Sequence, residues 1–222
     1  MIQTRLKAYL ISGLAADSRV FKHLRLPENF DIVHLDWIQP EKNESLRAYS
    51  IRMAERVNTE EPFVILGLSM GGMIAAEISK VKQPAKTILV SSVPSSKNLP
   101  IYFKAAGSLK LYKLVPVTAL KWAAKTKRIF TTETSEDKDL LRKVIQESDN
   151  HFIKWAVEAI LKWNLQELPT NFIHIHGSKD EVLPIRFTRP THIIKGAGHM
   201  MVMTNAKEIN QILSTELESL LK

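Results

Sequence analysis

The sequence predicts an α/β protein, a three-layer α/β/α arrangement with an all-parallel six-stranded sheet in the middle. Three observations predict it. Short β-rich runs alternate with helix-like segments along the 222 residues. The runs are too apolar for a sheet with one wet face, so their strands should be buried on both sides. Strand–helix–strand order implies right-handed crossovers between parallel strands, and one long interval interrupts it.

In chain order the predicted strands are Lys7 to Ser12, Phe30 to Asp36, Phe63 to Leu68, Thr87 to Ser92, Asn171 to His176 and Thr191 to Lys195. The first sits where a secretory leader would, with Arg5 and Lys7 before the apolar Ala8 to Leu14 and Ala15-Ala16 behind it. That stretch is short for a leader and contains Gly13, so it reads as a strand. Helix-like segments cover Ser18 to Leu26, Asn43 to Asn58, Met70 to Val81 and Asn205 to Leu221. The last puts Ile209, Ile212, Leu213, Leu217 and Leu220 on one stripe. From Pro94 to Pro169 no strand is evident, while helical signals recur at Val117 to Phe130, Glu136 to Glu147 and His151 to Trp163. Thr134-Ser135 and Asp149-Asn150 supply N-cap residue types for the second and third. That interval is far longer than a crossover needs. Residues 94–169 are therefore expected to form a helical lid, inserted after the fourth strand of a core made of 1–93 and 170–222.

Composition excludes several classes. With 45% hydrophobic and 24% charged residues, no tract is polar enough to read as disordered. The absence of cysteine removes disulfides, thiol nucleophiles and thiolate metal sites, and favours a cytoplasmic address. No run approaches the roughly twenty apolar residues of a membrane span. The net charge is +8, and between Lys97 and Arg128 eight basic residues occur without an acidic one: Lys97, Lys104, Lys110, Lys113, Lys121, Lys125, Lys127 and Arg128. A solvated helical face is the simpler reading; recognition of an anionic substrate is the functional one. No nucleic-acid module accompanies the charge, so that partner is discounted, and membrane-surface contact by the lid ranks only slightly above it.

The chemistry-bearing segment is PFVILGLSMGGMIAAEIS, Pro62 to Ser79. In Gly67-Leu68-Ser69-Met70-Gly71 a strand turns into a helix within a couple of residues, which leaves Ser69 strained at the apex with its side chain off the sheet edge. Glycines flank it because a Cβ there would collide with a neighbouring strand or helix. The following helix N-terminus offers unpaired N–H groups to a developing negative charge. The five residues alone are a weak signal; their position after Val64-Ile65-Leu66 and before a helix of small residues is the context the motif requires.

Nearly the whole chain resembles the α/β-hydrolase superfamily, whose nucleophile, acid and histidine come in the order Ser, Asp or Glu, His. Ser69 follows the third strand, Asp180 in IHIHGSKDEVLP the fifth, and His199 in GAGHMMV the sixth. Loops beyond the carboxyl ends of parallel strands converge in space. The resemblance assigns Ser69 as nucleophile, His199 as base and Asp180 as acid, four before Pro184 in a G-x-x-D-x-x-x-P pattern, in preference to Glu181. Imidazole suits the base because its unperturbed pKa, about 6.5, is near neutrality. The resemblance also implies an oxyanion hole from the N–H groups of Met70 and of Leu14, in a loop where Gly13 aligns with the family's glycine. Ser12, Asp17 and Phe21 stand where the family has histidine, serine and tryptophan. Gly13, Asp17 and Met200 are candidate substrate-binding residues, although for Asp17, beside Ser18, capping of the following helix is the preferred reading. The first strand starts too early in the chain for the two N-terminal strands of the full family fold, giving the order 2-1-3-4-5-6.

The expected activity is hydrolysis of a carboxylic ester or thioester of a small acyl substrate through an acyl-enzyme, without a cofactor. Acyl transfer or carbon–carbon hydrolysis on the same triad is the alternative, and a non-catalytic binding protein is the third. His174 and His176, two apart on a strand, face one side and invite a metal reading, but no third ligand converges with them in sequence. Trp122, Trp155 and Trp163 read as packing within the lid.

Overall fold

The computed structural model describes residues 5–109, 115–126 and 134–220. Six strands form one parallel sheet: β1 (Leu6–Ile11), β2 (Phe30–His34), β3 (Phe63–Leu68), β4 (Lys86–Val90), β5 (Phe172–Gly177) and β6 (His192–Ile194). Their order is β2-β1-β3-β4-β5-β6, as expected. Side chains alternate across it. Ala8, Leu10, Leu66, Leu68, Ile88, Val90 and Ile175 enter one core with α7 (Met201–Thr204) and α8 (Ala206–Glu218). Tyr9, Ile11, Ile65 and Leu89 enter the other with α1 (Leu46–Ala54) and α2 (Met70–Lys82). Helices on both faces make three layers.

The central strands β3 and β4 are buried along their whole length. The outer two are not: Asp31, Ile32 and His34 of β2 and Ile193 of β6 are exposed. An open sheet has two edges, and crossover helices leave them partly uncovered. Expecting burial on both sides of every strand was correct only for the interior.

Two helix-like segments are shorter than their sequences suggest. Ser18 to Leu26 makes only a 3₁₀ turn, Ser18–Phe21, because Pro27 disfavours helical backbone at Leu26 and too few residues remain to complete α turns. Asn43 to Asn58 contributes α1, capped by the Ser45 side chain accepting from Ala48 N–H.

Among the described residues four α-helices lie between β4 and β5: α3 (Ile101–Ser108), α4 (Val117–Thr126), α5 (Ser135–Glu147) and α6 (Asn150–Leu161). Thr134 and Asp149 cap α5 and α6 through bonds from Asp137 and Phe152 N–H. The predicted continuation of α4 to Phe130 lies outside the described residues. The helix α3 was not foreseen, since Ile101-Tyr102-Phe103 has the composition of a strand. Two indole N–H groups tie α6 and the residues just after it to the elements around α1 and α2: Trp155 donates to the Glu44 carbonyl at 2.8 Å and Trp163 to Glu77 Oε1 at 2.7 Å. The ring of Trp155 also lies 4.4 Å from that of Tyr49.

Candidate active site

Ser69 caps α2 at φ 53° and ψ −118°, a backbone conformation costly for a residue with a side chain. Packing enforces it. A Cβ on Gly67 would fall 2.2 Å from the Gly71 carbonyl oxygen, and one on Gly71 would fall 2.3 Å from the carbonyl oxygens of Ile11 and Ser12. Strand, turn and helix therefore approach at glycine distance, and the bend can occur only at Ser69. Ser69 N–H donates to the Val90 carbonyl at 2.9 Å, and Ser92 Oγ donates to the Ser69 carbonyl at 2.6 Å.

His199 and Asp180, far away in sequence, meet Ser69 here. His199 Nε2 is 2.9 Å from Ser69 Oγ, and His199 Nδ1 is 2.8 Å from Asp180 Oδ2. A carboxylate only accepts, so Nδ1 carries the ring proton and Nε2 presents a lone pair to the serine hydroxyl. Asp180 is further held through Oδ1, which accepts from the N–H groups of Val182 and Leu183, both at 2.9 Å. Burial pushes the Asp180 carboxyl up, but the charge and hydrogen bond of His199 and the Leu183 N–H outweigh it, so the group lies below the usual carboxylate value.

Met70 begins α2, where a helix has no internal acceptor for its N–H. Gly13 and Leu14 follow β1 and line the same cavity as Ser69 and His199. Three bonds shape their loop: Ala16 N–H to the Gly13 carbonyl, and Ser12 Oγ and Trp37 Nε1 to the Ala16 carbonyl. Ser12 was read in the sequence only as a departure from the family's histidine and Trp37 not at all, because their contribution is to fold this loop onto the Ala16 carbonyl. Met200 borders the cavity as expected. Asp17 does not: its side chain caps the 3₁₀ turn through Arg19 N–H and pairs with the Arg19 guanidinium at 2.6 Å. Its carboxylate faces a separate, smaller cleft. The structure puts Asp17 to capping use because a carboxylate two residues before an arginine finds its partner locally.

The cavity over Ser69 has a volume of about 500 Å³, within the range of small-molecule sites. Helices α3 to α6 all contribute to it, through Phe103, Leu120, Leu141, Ile145, Ile153 and Ile160 among others. Besides Ser69 and His199, the polar side chains among its described lining residues are Tyr102 and Lys121. The Lys121 ammonium donates to the carbonyls of Gln146 and Ser148. Among the described residues no three metal-ligating side chains converge, and no helix is long and apolar enough to cross a membrane.

No protein-family model matches the chain, and no curated protein matches it in sequence. Solved structures do match it in three dimensions. A malate-bound thermophilic esterase from Thermogutta terrifontis superposes with a TM-score of 0.72 at 16% identity, covering 99% of this chain and 92% of that one. MenH from S. aureus gives 0.74 at 14% identity over 97% and 94%. An epoxide hydrolase of the α/β-hydrolase superfamily, from metagenomes of hot environments, gives 0.71 at 16% identity over 97% and 91%. Identities this low speak to architecture. With its six-stranded sheet, its serine elbow after β3 and these full-length superpositions, the chain has the α/β-hydrolase fold.

Proposed function

We propose that the protein is a serine hydrolase that cleaves a carboxylic ester or thioester through an acyl-enzyme. The observation that carries this reading is the unbroken line from Ser69 Oγ through His199 to Asp180, at 2.9 and 2.8 Å, at the wall of an apolar cavity. His199 Nε2 takes the hydroxyl proton as Ser69 Oγ bonds to the acyl carbon, and the Leu14 and Met70 N–H groups stabilise the resulting oxyanion. The tetrahedral adduct collapses as His199 returns the proton to the departing alkoxide or thiolate. Water, deprotonated by His199, then attacks the acyl-serine and restores the free hydroxyl. Asp180 fixes the ring tautomer and stabilises the imidazolium. In this reading residues 94–169 are a lid, supported by the four helices that line the cavity.

The substrate's acyl part is proposed to be apolar and uncharged. Among the basic residues of 97–128 whose side chains are described, Lys121 alone lines the cavity, and backbone carbonyls already engage its ammonium. Among the described lining residues, an anionic group would lose water and meet one ammonium, two of whose donors are already engaged. That weighs against the anionic substrate suggested by charge alone.

Ser69→Ala should remove labelling by a fluorophosphonate probe and all ester turnover; labelling equal to wild type would refute the nucleophile. Neutral p-nitrophenyl butanoate and hexanoate should exceed the corresponding hemisuccinate ester in kcat/KM by about tenfold or more, the cost of desolvating an unpaired charge. Parity would overturn the neutral-acyl reading. An added alcohol acceptor that diverts product from acid to ester would place the chain among acyltransferases instead.

A further inference from the structure

Strand β5 carries two fully buried histidines, His174 and His176, that the proposed cycle does not use. Their contacts run in one direction. His174 Nε2 lies 3.1 Å from His176 Nδ1. His176 Nε2 lies 2.8 Å from the Leu183 carbonyl oxygen and 3.4 Å from Asp180 Oδ2. Both oxygens only accept, so His176 Nε2 carries a proton. Burial lowers the pKa of His176, against the opposing pull of Asp180 and the Leu183 carbonyl. The ring is then neutral, and its Nδ1 is a lone pair that needs a donor. His174 Nε2–H is that donor. The nitrogen left over, His174 Nδ1, is buried and makes no hydrogen bond of good geometry, and the pull of the Ser92 carbonyl on this ring is weaker than the effect of its burial. Burial, reinforced by His176, pushes His174 down to about 3. One tautomer follows for each ring.

We propose that His176, locked in its Nε2–H tautomer by His174, is a positioning residue that fastens the acid turn behind Asp180. Leu183 is the hinge of the arrangement. Its N–H holds Asp180 Oδ1 at 2.9 Å, and its carbonyl is held in turn by His176 from the strand below. The turn that aims Asp180 at His199 is thus bonded to β5 by a side chain as well as by the chain itself. A neutral ring suits this place. The titratable groups facing His176 are His174, Asp180 and His199; a second imidazolium would share the carboxylate that His199 needs when it takes the serine proton.

This inference rests on the triad reading, and its first test does not depend on activity. Long-range ¹H–¹⁵N spectra of histidine-labelled protein at pH 7.5 should show His174 and His176 neutral and in the Nε2–H form. A cationic His176, or one protonated only on Nδ1, overturns the proposal whatever the kinetics show. The second test compares His176→Gln, whose amide N–H reaches the Nε2 position, with His176→Asn, whose amide stops short of it. On an activated ester the Gln variant should keep kcat within about threefold while the Asn variant loses about tenfold, with KM little changed, since misplacement of a catalytic group by a fraction of an ångström costs that much. Equal kcat in the two folded variants refutes the positioning role. If neither folds, the wild-type spectrum decides. Loss of all turnover in wild type, with the expected spectrum, would sink the hydrolase reading and leave the locked tautomers standing.

Discussion

Asp180 meets donors on both oxygens, from two backbone N–H groups on Oδ1 and from His199 on Oδ2. Because the carboxyl is held below its usual range, it stays ionised at every pH where the protein is expected to act. Asp180→Asn replaces that acceptor with an amide that can donate to His199, reversing the ring tautomer. The variant should fold and lose about 10⁴-fold in kcat, by analogy with triads of the same design; a stopped-flow ester assay beside circular dichroism checks both halves. At this scale Ser69 was legible in the sequence because backbone sterics dictate its elbow, and Asp180 and His199 were legible through the order and pattern that the family resemblance implies. Ser12, Trp37 and His176 were not. Their roles depend on which carbonyl stands opposite them, and no spacing records that.

At the scale of elements, the elbow is a three-way contact between β1, β3 and α2. Gly71→Ala should cost about 3 kcal/mol or prevent folding, because the added methyl meets the Ile11 and Ser12 carbonyls of β1 and its loop at 2.3 Å. A guanidinium chloride titration measures it; a shift below 1 kcal/mol would mean that strand and helix can part. The bond between Trp163 and Glu77 supports a second prediction. Glu77 is buried, and burial raises its pKa despite the indole bond. Trp163→Phe keeps most of the ring volume and leaves that carboxyl without its donor, so stability at neutral pH should fall by about 2 kcal/mol. Glu77→Gln should be close to neutral, since it keeps an acceptor and removes a charge that burial penalises. Helix α3 and the truncated turn at Ser18–Phe21 are the elements that the sequence misjudged. In the first, tertiary packing overrode β propensity: Phe103 and Ala106 face the cavity while Gly107 lies against the Leu161 carbonyl. In the second, Pro27 ended a helix that had no room to propagate.

For the whole molecule, the buried histidines set a pH dependence of stability. His174 is held near 3 in the folded protein and returns to about 6.5 when unfolded. Between those values the unfolded chain binds more protons than the native one, so stability falls as pH drops from 6.5 toward 3. Asp180, lowered from 3.8, adds a further loss only below about 4. Between pH 7 and 5 the wild type should lose about 2 kcal/mol more than His174→Leu, read from denaturation midpoints at the two pH values. Equal losses would mean that His174 is not held neutral. By itself the sequence determined the class of fold and the elbow, because apolar periodicity and glycine sterics act within a few residues, while its resemblance to a known family supplied the strand order and the three residues of the candidate triad. The tertiary structure alone decided that the outer strands are wet, that the described helices between β4 and β5 line an apolar cavity, and that a pair of buried rings stands behind the acid. Each of those depends on which groups from distant parts of the chain share one desolvated space, where the cost of an unmatched charge or donor is set by neighbours that the local sequence does not contain.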